Sequence, residues 1–484
     1  MKNTSLKLNV VLNGMRILMQ MIFPLISFPY ASRTLLPSGI GAVNFSNSII
    51  AYFVLIASLG ISTYAIREGA KIRNDKKKIS IFVQEIFIIN VITTLISYII
   101  FITLIHFSTE LQSYKLLLLI CSLSIICTPL GIDWLYGAIE DYKYITVRSI
   151  LFQFVSLILL FVFVKKSTDI AMYAFITVFA TVGSNICNLI HSRKIINWSK
   201  LYTNEYNFKR HLKPIFTIFG LNLACNVYMN LDKTMLGLLT NDTQVGLYTT
   251  AYKVVGIVVS LINSIGTVML PRISYELSNN NEKQYKNLLK YSFNIMLILA
   301  VPMTIGSIVY SKHIILILSG EEYINAILPM QILSLLILLS GLGNAFSIQI
   351  FIANGYEKNS LYASTLSAII NLVFNFLLIP KLHIVGAAIS TILSELAALI
   401  LCIIMANKIT STSKLLKNIP LYIIVSLSII PISIICNKYI GNMFSQLLFG
   451  ILFSSIFYCT ILYFLNNEFI KNFFNLFVKK LKLK

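Results

Sequence analysis

The feature that most constrains this chain is a series of apolar stretches, each long enough to cross a lipid bilayer as one helix. About 20 apolar residues are needed, because a helix rises 1.5 Å per residue and the hydrocarbon core is about 30 Å thick. About fourteen such segments can be placed along the sequence. They are residues 9–31, 40–65, 79–106, 114–138, 145–164, 170–191, 214–239, 245–270, 288–310, 326–353, 361–380, 384–407, 418–437 and 443–465. The 484 residues are 57% hydrophobic and only 12% charged, so we predict an all-α polytopic membrane protein rather than a soluble one.

The basic residues predict which ends of these segments face the cytoplasm. The chain has 39 Lys and Arg against 18 Asp and Glu, which gives a net charge of +21. If both termini are cytoplasmic, about 29 of the basic residues lie on the cytoplasmic side and about 7 on the far side, as the positive-inside rule requires. We therefore predict a multi-pass protein with both termini in the cytoplasm, and we assign the positive charge to topology rather than to nucleic-acid binding.

Two parts of the sequence resemble each other at an offset of about 205 residues, as in transporters built from repeats. The stretch 37–63 aligns with the stretch 241–267, which pairs Gly41 with Gly246 and Asn44 with Thr249. We predict two six-helix lobes in parallel orientation, followed by two further helices. The predicted parts are an N-terminal lobe over 1–192, a basic cytoplasmic linker over 193–213, a second lobe over 214–410, and helices 13 and 14 with a basic cytoplasmic tail over 411–484.

Polar side chains recur at helical spacing in the first, second, seventh and eighth segments. Residues three or four positions apart share one face of a helix, so each set forms a stripe. One interpretation is that the stripes line an aqueous cavity between the lobes; the alternative is that they join neighbouring helices by hydrogen bonds. The candidate cavity residues are Asn13, Arg16, Gln20, Asn44, Asn222, Asn226, Asn230, Asp232, Lys233, Lys253 and Asn263.

Charged residues inside the segments need a reason, because a charge in hydrocarbon costs about 2.5–3.5 kcal/mol on insertion scales. Arg16, Lys233 and Lys253 would suit a path for an anionic head group, although their side chains are long enough to reach the membrane surface instead. Glu395 and Asp232 are candidates for ion coupling. Glu395 is equally consistent with a protonated packing residue.

Several motifs that would indicate other chemistry are missing from the sequence. No GxxxxGK[ST] motif is present, so the chain is not expected to hydrolyse ATP itself. The seven cysteines are expected to be packing residues, and no His/Cys cluster predicts a metal or another cofactor. The first apolar run is too long for a signal peptide and lacks a small-residue cleavage site after it, so we expect it to be a span.

The stretch NLDKTMLGLLTNDTQVGLYTTAYKVVGIVVSLINSIGTVMLPRIS (230–274) closely resembles the seventh and eighth spans of bacterial polysaccharide repeat-unit flippases. These are the O-antigen and capsule transporters of the MATE-like superfamily. GIDWLYGAIEDYKYITVRSI (131–150) resembles the family's segment after span 4, and FPYASRTLLPSGIGAVNFSNSI (28–49) resembles its first loop. The resemblance extends over essentially the whole chain.

This resemblance implies a MATE-like fold in which two six-helix bundles open alternately to either side. It implies a substrate of undecaprenyl-diphosphate-linked oligosaccharide, moved from the cytoplasmic to the outer leaflet of the bacterial inner membrane. The last two helices would help to form a groove for the lipid tail, as in related lipid II flippases. A polysaccharide polymerase and a chain-length regulator are expected partners, and the coupling ion, H⁺ or Na⁺, is left open.

Other functions on the same fold stay open at this point. A lipid II or teichoic-acid flippase would meet nearly the same head-group chemistry. A MATE-type cation-coupled drug efflux pump would call for an acid in the N-terminal lobe, where the first segment has Arg16. A membrane-bound polymerase or glycosyltransferase would call for a long external loop with paired acids, and the sequence has none, so we predict a transporter and not an enzyme.

Overall fold

The computed structural model describes residues 6–200, 202–465, 467 and 471, without the side chains of 6–11, 13, 17, 21, 221, 224 and 225. The chain divides after Gly246 into two compact units. In the first unit the helices are α1 (Leu6–Ser58), α2 (Ile61–Ile72), α3 (Lys76–Phe107), α4 (Thr109–Gln112), α5 (Lys115–Ile126), α6 (Asp133–Ala138), α7 (Tyr142–Phe163), α8 (Ile170–Val182), α9 (Asn185–Ser192) and α10 (Lys209–Leu239). A 3₁₀ turn, Thr203–Glu205, precedes α10.

The second unit begins within the next helix and is also built from helices. They are α11 (Asp242–Ser278), α12 (Glu282–Val309), α13 (Ser311–Ser319), α14 (Ile327–Leu333), α15 (Leu336–Ala345), α16 (Glu357–Ala406), α17 (Thr412–Leu416), α18 (Ile419–Ser426), α19 (Ile429–Tyr439) and α20 (Met443–Phe464). A 3₁₀ turn, Glu321–Ala326, precedes α14, and a π-helical stretch, Phe346–Ile352, continues α15. The predicted repeat limits, which place α10 in the second lobe, describe sequence similarity rather than compactness and remain a prediction.

The prediction of an all-helical membrane protein is confirmed. Among the described residues, ten segments are long and apolar enough to cross a membrane. Two of them, Gly14–Ile72 and Glu357–Ala406, each pass through a residue with non-helical dihedral angles and so contain two helices. The number fourteen itself remains a prediction.

The break in α1 has a local cause in the sequence. Leu36 adopts φ 61° and ψ 173°, and Pro37 follows it. The ring of a proline disfavours the helical region for the residue before it, and the proline itself is well placed at the first position of a new helix. One helix therefore ends at Leu36 and the next begins at Pro37, with almost no loop between them.

Helix α3 shows the reversed polarity expected of a helix in lipid. Its buried face carries Asn90, Thr94 and Ser97, while Ile92 and Ile99 on the opposite side are more than half exposed. The Ser97 hydroxyl donates to the Phe53 carbonyl of α1 at 2.7 Å. In water such an apolar exterior would drive aggregation, whereas in a bilayer it meets acyl chains and the polar face joins the helices.

Two glycines allow a close crossing between the second half of α1 and the start of α11. A Cβ on Gly41 would overlap the backbone carbonyl of Asp242, and a Cβ on Gly246 would overlap that of Pro37. The two contacts are equivalent under the repeat offset of about 205 residues. Gly246 is the counterpart of Gly41, and Asp242 is the counterpart of Pro37. The two-lobe parallel repeat itself remains a prediction.

Candidate functional site

Helix α10 in the first unit carries five of the candidate residues. Asp232 is buried, with 6% of its surface exposed, and Lys233 beside it is half-buried. Asn222, Asn226 and Asn230 are also half-buried, and the Asn230 amide donates to the Asn226 side-chain oxygen at 3.2 Å. The stripe predicted from spacing is therefore present as one semi-enclosed polar face on a helix.

The C-terminal part of the same helix packs directly against the second half of α1. The Thr234 hydroxyl donates to the Ser48 hydroxyl at 3.0 Å and lies 3.2 Å from the Tyr52 hydroxyl. Gly237 lies against the Phe45 ring so closely that a Cβ would overlap it. At Ser48, the polar stripe of the second segment therefore joins α1 to α10 by a hydrogen bond.

The remaining candidates in α1 differ in their surroundings. Arg16 is half-buried, and its Nε is enclosed with no hydrogen-bond partner among the described residues. Gln20 is exposed, and the side chain of Asn13 lies outside the described residues. Asn44 is half-buried and donates to the Ile40 carbonyl of its own helix at 2.8 Å.

Helix α11 carries Lys253 and Asn263, the candidates in the second unit. Lys253 is half-buried. Asn263 is also half-buried, and its side-chain oxygen has no hydrogen-bond partner among the described residues. The buried Thr249, one turn before Lys253, likewise has an enclosed hydroxyl with no described partner. These side chains offer polar atoms that a sugar hydroxyl or water can satisfy.

Helix α16, which the break at His383 divides into two helices, carries Glu395 and several other polar side chains. Asn371 and Asn375 are fully buried in its first half, where the Asn375 amide donates to the Asn371 side-chain oxygen at 3.1 Å. Thr391 is buried in the second half, one turn before the half-buried Glu395. The two helices of α16 therefore carry neutral amide and hydroxyl oxygens as well as a carboxylate.

The structure also buries charged groups that lie near the ends of the apolar segments. Glu85 has no exposed surface, accepts a hydrogen bond from the Asn207 backbone amide at 2.5 Å and forms an ion pair with Arg210. It also lies 3.0 Å from Nε2 of His211, whose Nδ1 lies 2.7 Å from the Tyr64 hydroxyl. We define Tyr64, Glu85, Arg210 and His211 as the Glu85 cluster. Arg210 and His211 are too far from Glu85 in sequence for helical spacing to predict the contact.

A second buried charge lies in α7. Arg148 is buried and donates to the Asp133 carboxylate at 2.7 Å, while Asn188 donates to the same oxygen at 2.7 Å. The Arg148 guanidinium also lies 5.7 Å from the centre of the Tyr144 ring. Arg148 is not among the site residues predicted from the sequence, because it lies near the end of a segment rather than deep inside one.

The second unit contains an apolar groove of about 760 Å³. Helices α11, α12, α13, α19 and α20 form its walls. Its lining is mainly aliphatic and aromatic and includes Leu261, Pro302, Gly306, Tyr310, Ile451 and Tyr458. A groove of this size and chemistry can hold a hydrocarbon chain.

Comparison with protein families finds two matches. A family model described as polysaccharide biosynthesis protein matches residues 6–276. A second model, MatE, matches residues 218–377.

Two named relatives align with most of this chain. A "Putative O-antigen transporter" of Escherichia coli (strain K12) is 25% identical over 393 residues, which cover 80% of this chain and 94% of that protein. The "Capsular polysaccharide biosynthesis protein CapF" of Staphylococcus aureus is 25% identical over 376 residues, covering 75% of this chain and 90% of that one.

Solved structures show the same fold. The lipid II flippase MurJ, in an inward closed conformation, superposes with a TM-score of 0.74 at 17% identity and covers 94% of this chain and 99% of that chain. An inward-facing multidrug resistance MATE family transporter superposes with a TM-score of 0.64 at 13% identity, covering 83% and 97%. The MATE-like fold predicted from the sequence is confirmed.

Proposed function

This chain belongs to the polysaccharide biosynthesis protein family, and from that premise we propose that it is a flippase for the lipid-linked repeat units of a surface polysaccharide. The observation that carries the proposal is the similarity to an O-antigen transporter of which 94% aligns with this chain. The substrate would be an undecaprenyl-diphosphate-linked oligosaccharide, moved from the cytoplasmic to the outer leaflet by alternating access.

The basic side chains fit the diphosphate part of that substrate. A diphosphate and its sugars cannot enter hydrocarbon alone, because their charges and hydroxyls would lose the hydrogen bonds they make with water. Arg16, Lys233 and Lys253 would replace that water by charge-assisted hydrogen bonds to the phosphate oxygens. The half-buried state of each of these residues supports this role, since a side chain that reached the membrane surface would be exposed.

The amide stripes fit the sugar part. Asn13, Gln20, Asn44, Asn222, Asn226, Asn230 and Asn263 would bond sugar hydroxyls, because an amide offers both donors and an acceptor. The unsatisfied oxygen of Asn263 supports this assignment.

The apolar groove of the second unit fits the polyprenyl tail. The tail is hydrocarbon and would remain in an apolar environment while the head group crosses. Helices α19 and α20, which follow the predicted repeats, supply part of the groove wall, and this supports a role for them in holding the tail.

Ion coupling would involve Glu395 and Asp232. In α16 the carboxylate of Glu395 follows Thr391 by one turn, and the same element also carries the buried amides Asn371 and Asn375. Oxygen ligands of this kind suit Na⁺, and a semi-enclosed carboxylate also suits a proton, so both ions belong in the transport experiment.

The proposed setting is the bacterial inner membrane with both termini in the cytoplasm. The concentration of Lys and Arg in the loops assigned to the cytoplasmic side supports this orientation. In that setting the product would be handed to a polysaccharide polymerase and a chain-length regulator on the outer side.

The substitutions Lys233→Ala and Lys253→Ala test the diphosphate path. A hydrogen bond to a charged group is worth about 1.5–3 kcal/mol, so each substitution should lower the flipping rate about tenfold or more. The assay uses proteoliposomes loaded with undecaprenyl-diphosphate oligosaccharide and an external glycosidase, with and without proton and sodium gradients. Lys143→Ala, which removes an exposed charge, is the control and should flip at the wild-type rate. Wild-type flipping by both variants would exclude the role of these lysines.

Filling the groove tests the tail assignment. A Cβ on Gly306 would meet no atom within 4 Å, so Gly306→Leu adds a side chain to the groove without a backbone clash. We expect a several-fold slower flipping rate at unchanged protein level. Gly343→Leu is the matched control, because a Cβ there also meets no atom within 4 Å and Gly343 is not a groove residue. Equal loss in both variants would contradict the assignment.

The same liposome assay separates the alternative functions. Replacing the oligosaccharide lipid by lipid II or by a teichoic-acid precursor tests the related flippase activities. The structural similarity to a lipid II flippase is the reason for including them. Efflux of an organic cation without any lipid transport would indicate a MATE-type pump instead.

A further inference from the structure

A basic pocket lies at the beginning of helix α3 in the first unit, apart from the residues assigned to the transport path. Its volume is about 790 Å³. Four of its lining residues are cationic and two are aromatic: Lys76, Lys77, Arg193, Lys194, Trp198 and Tyr202. This size is in the range of pockets that bind small molecules.

The pocket wall is held in place by hydrogen bonds from α3. Gln84 is buried, with 2% of its surface exposed, and its amide donates to the carbonyls of Asn197 and Lys200, both at 3.0 Å. The Trp198 indole donates to the Ser192 hydroxyl at 2.8 Å. The segment after α9 is thus fixed against α3, so a ligand would meet a largely preformed site.

Most of the positive charge in the pocket is not neutralised by the protein. Lys77 pairs with Glu205 at 2.7 Å. Among the described residues, no carboxylate lies within 4.0 Å of the charged groups of Lys76, Arg193 or Lys194. Three exposed cations around one concavity repel one another unless an anion binds between them.

The pocket lies at the ends of two candidate membrane spans. Lys76 is the first residue of α3, a candidate span, and Arg193 directly follows α9, which ends the candidate span Ile170–Ser192. Phosphate groups of lipids occupy this same level of a membrane, and each basic residue near an anionic surface contributes about 1 kcal/mol of attraction.

We propose that this pocket binds the phosphate-bearing head group of an anionic membrane phospholipid. The lipid would belong to the cytoplasmic leaflet, and this placement rests on the membrane orientation given under the proposed function. The head-group phosphate accepts charge-assisted hydrogen bonds from Lys76, Arg193 and Lys194, while the acyl chains remain in the bilayer beside α3. Binding there would anchor the segment between α9 and α10 to the membrane.

The test is lipid binding to the purified full-length protein by native mass spectrometry, with phosphatidylglycerol compared with the zwitterionic phosphatidylcholine. Wild type should bind phosphatidylglycerol at least about tenfold more tightly, and the triple variant Lys76→Gln, Arg193→Gln, Lys194→Gln should lose that preference. The control triple variant Lys143→Gln, Lys283→Gln, Lys290→Gln removes the same charge from exposed positions elsewhere and should keep it.

Two outcomes would overturn the proposal. The first is that the pocket variant keeps the wild-type preference for phosphatidylglycerol. The second is that the pocket binds inorganic pyrophosphate but the protein shows no preference for the anionic lipid, which would assign the pocket to a soluble phosphate. If the triple variant is poorly produced, the single substitution Arg193→Gln is measured instead, and it should weaken the preference for phosphatidylglycerol. Because lipid binding is measured without transport, its failure leaves the flippase proposal untouched, and a failure of flipping leaves the lipid site untouched.

Discussion

Replacing Gly246 by alanine should cause a large loss of folded protein, although alanine normally stabilises a helix. In a helix interior the change from glycine to alanine is favourable by roughly 0.5–1 kcal/mol. Here the new Cβ would overlap the backbone carbonyl of Pro37, which no side-chain rotation can relieve. The second half of α1 and the start of α11 would have to separate, and overpacking of this kind typically costs about 1–3 kcal/mol or more.

The reciprocal contact provides a second variant. Gly41→Ala would place a Cβ on the carbonyl of Asp242 and should be equally damaging. The measurement is the apparent melting temperature and the monodisperse fraction of the detergent-solubilised protein. Gly343→Ala is the control, because its Cβ would meet nothing within 4 Å and should leave stability unchanged or slightly higher. Equal stability of all three variants would show that the crossing is looser than the structure has it.

Removing the carboxylate of Glu85 is the second change for which we expect a large effect. Glu85 has no exposed surface and holds the Asn207 amide, the Arg210 guanidinium and the His211 ring together. Breaking a buried ion pair by removing one partner typically costs about 3–5 kcal/mol, because the remaining polar groups stay enclosed without a partner. Since half of the Arg210 side chain is exposed, most of the loss should come from His211 and the backbone amide.

The expected result is a markedly lower melting temperature for Glu85→Ala, with Glu85→Gln intermediate because an amide oxygen can still accept from Asn207. The matched control is Glu282→Ala, which breaks the exposed Glu282–Lys286 pair of α12 and should change little. If Glu85→Ala and Glu282→Ala were equally stable, the Glu85 cluster would have no role in holding the start of α10 against α3.

Much of the fold could be predicted from sequence because the decisive signals are local or periodic. Apolar length alone marks candidate spans, since lipid demands helices whose backbone groups are satisfied within the segment. The offset of about 205 residues placed Gly41 and Gly246 in register, and the structure brings these two glycines into one crossing. Helical spacing likewise put Asn226 and Asn230 on one face, where they are hydrogen-bonded to each other.

The environment of each polar residue could not be predicted in the same way. Ser48 belongs to a stripe that resembles a cavity lining, yet its hydroxyl bonds Thr234 on a helix far along the chain. Glu85 looks interfacial from its place near a segment end, but it is enclosed by residues more than 120 positions away. Neither composition nor periodicity records which neighbour a side chain will meet.

By itself the sequence determined the helical membrane class and the family resemblance, because apolar length and residue pattern act through each segment's own contact with lipid and water. Only the tertiary structure decided that Glu85 and Arg148 are buried, that α10 is packed against α1, and that a groove and a basic pocket exist. The physical reason is that partners, enclosure and concavity arise from packing between distant segments, and the free energy of a polar group depends on those partners more than on its own type.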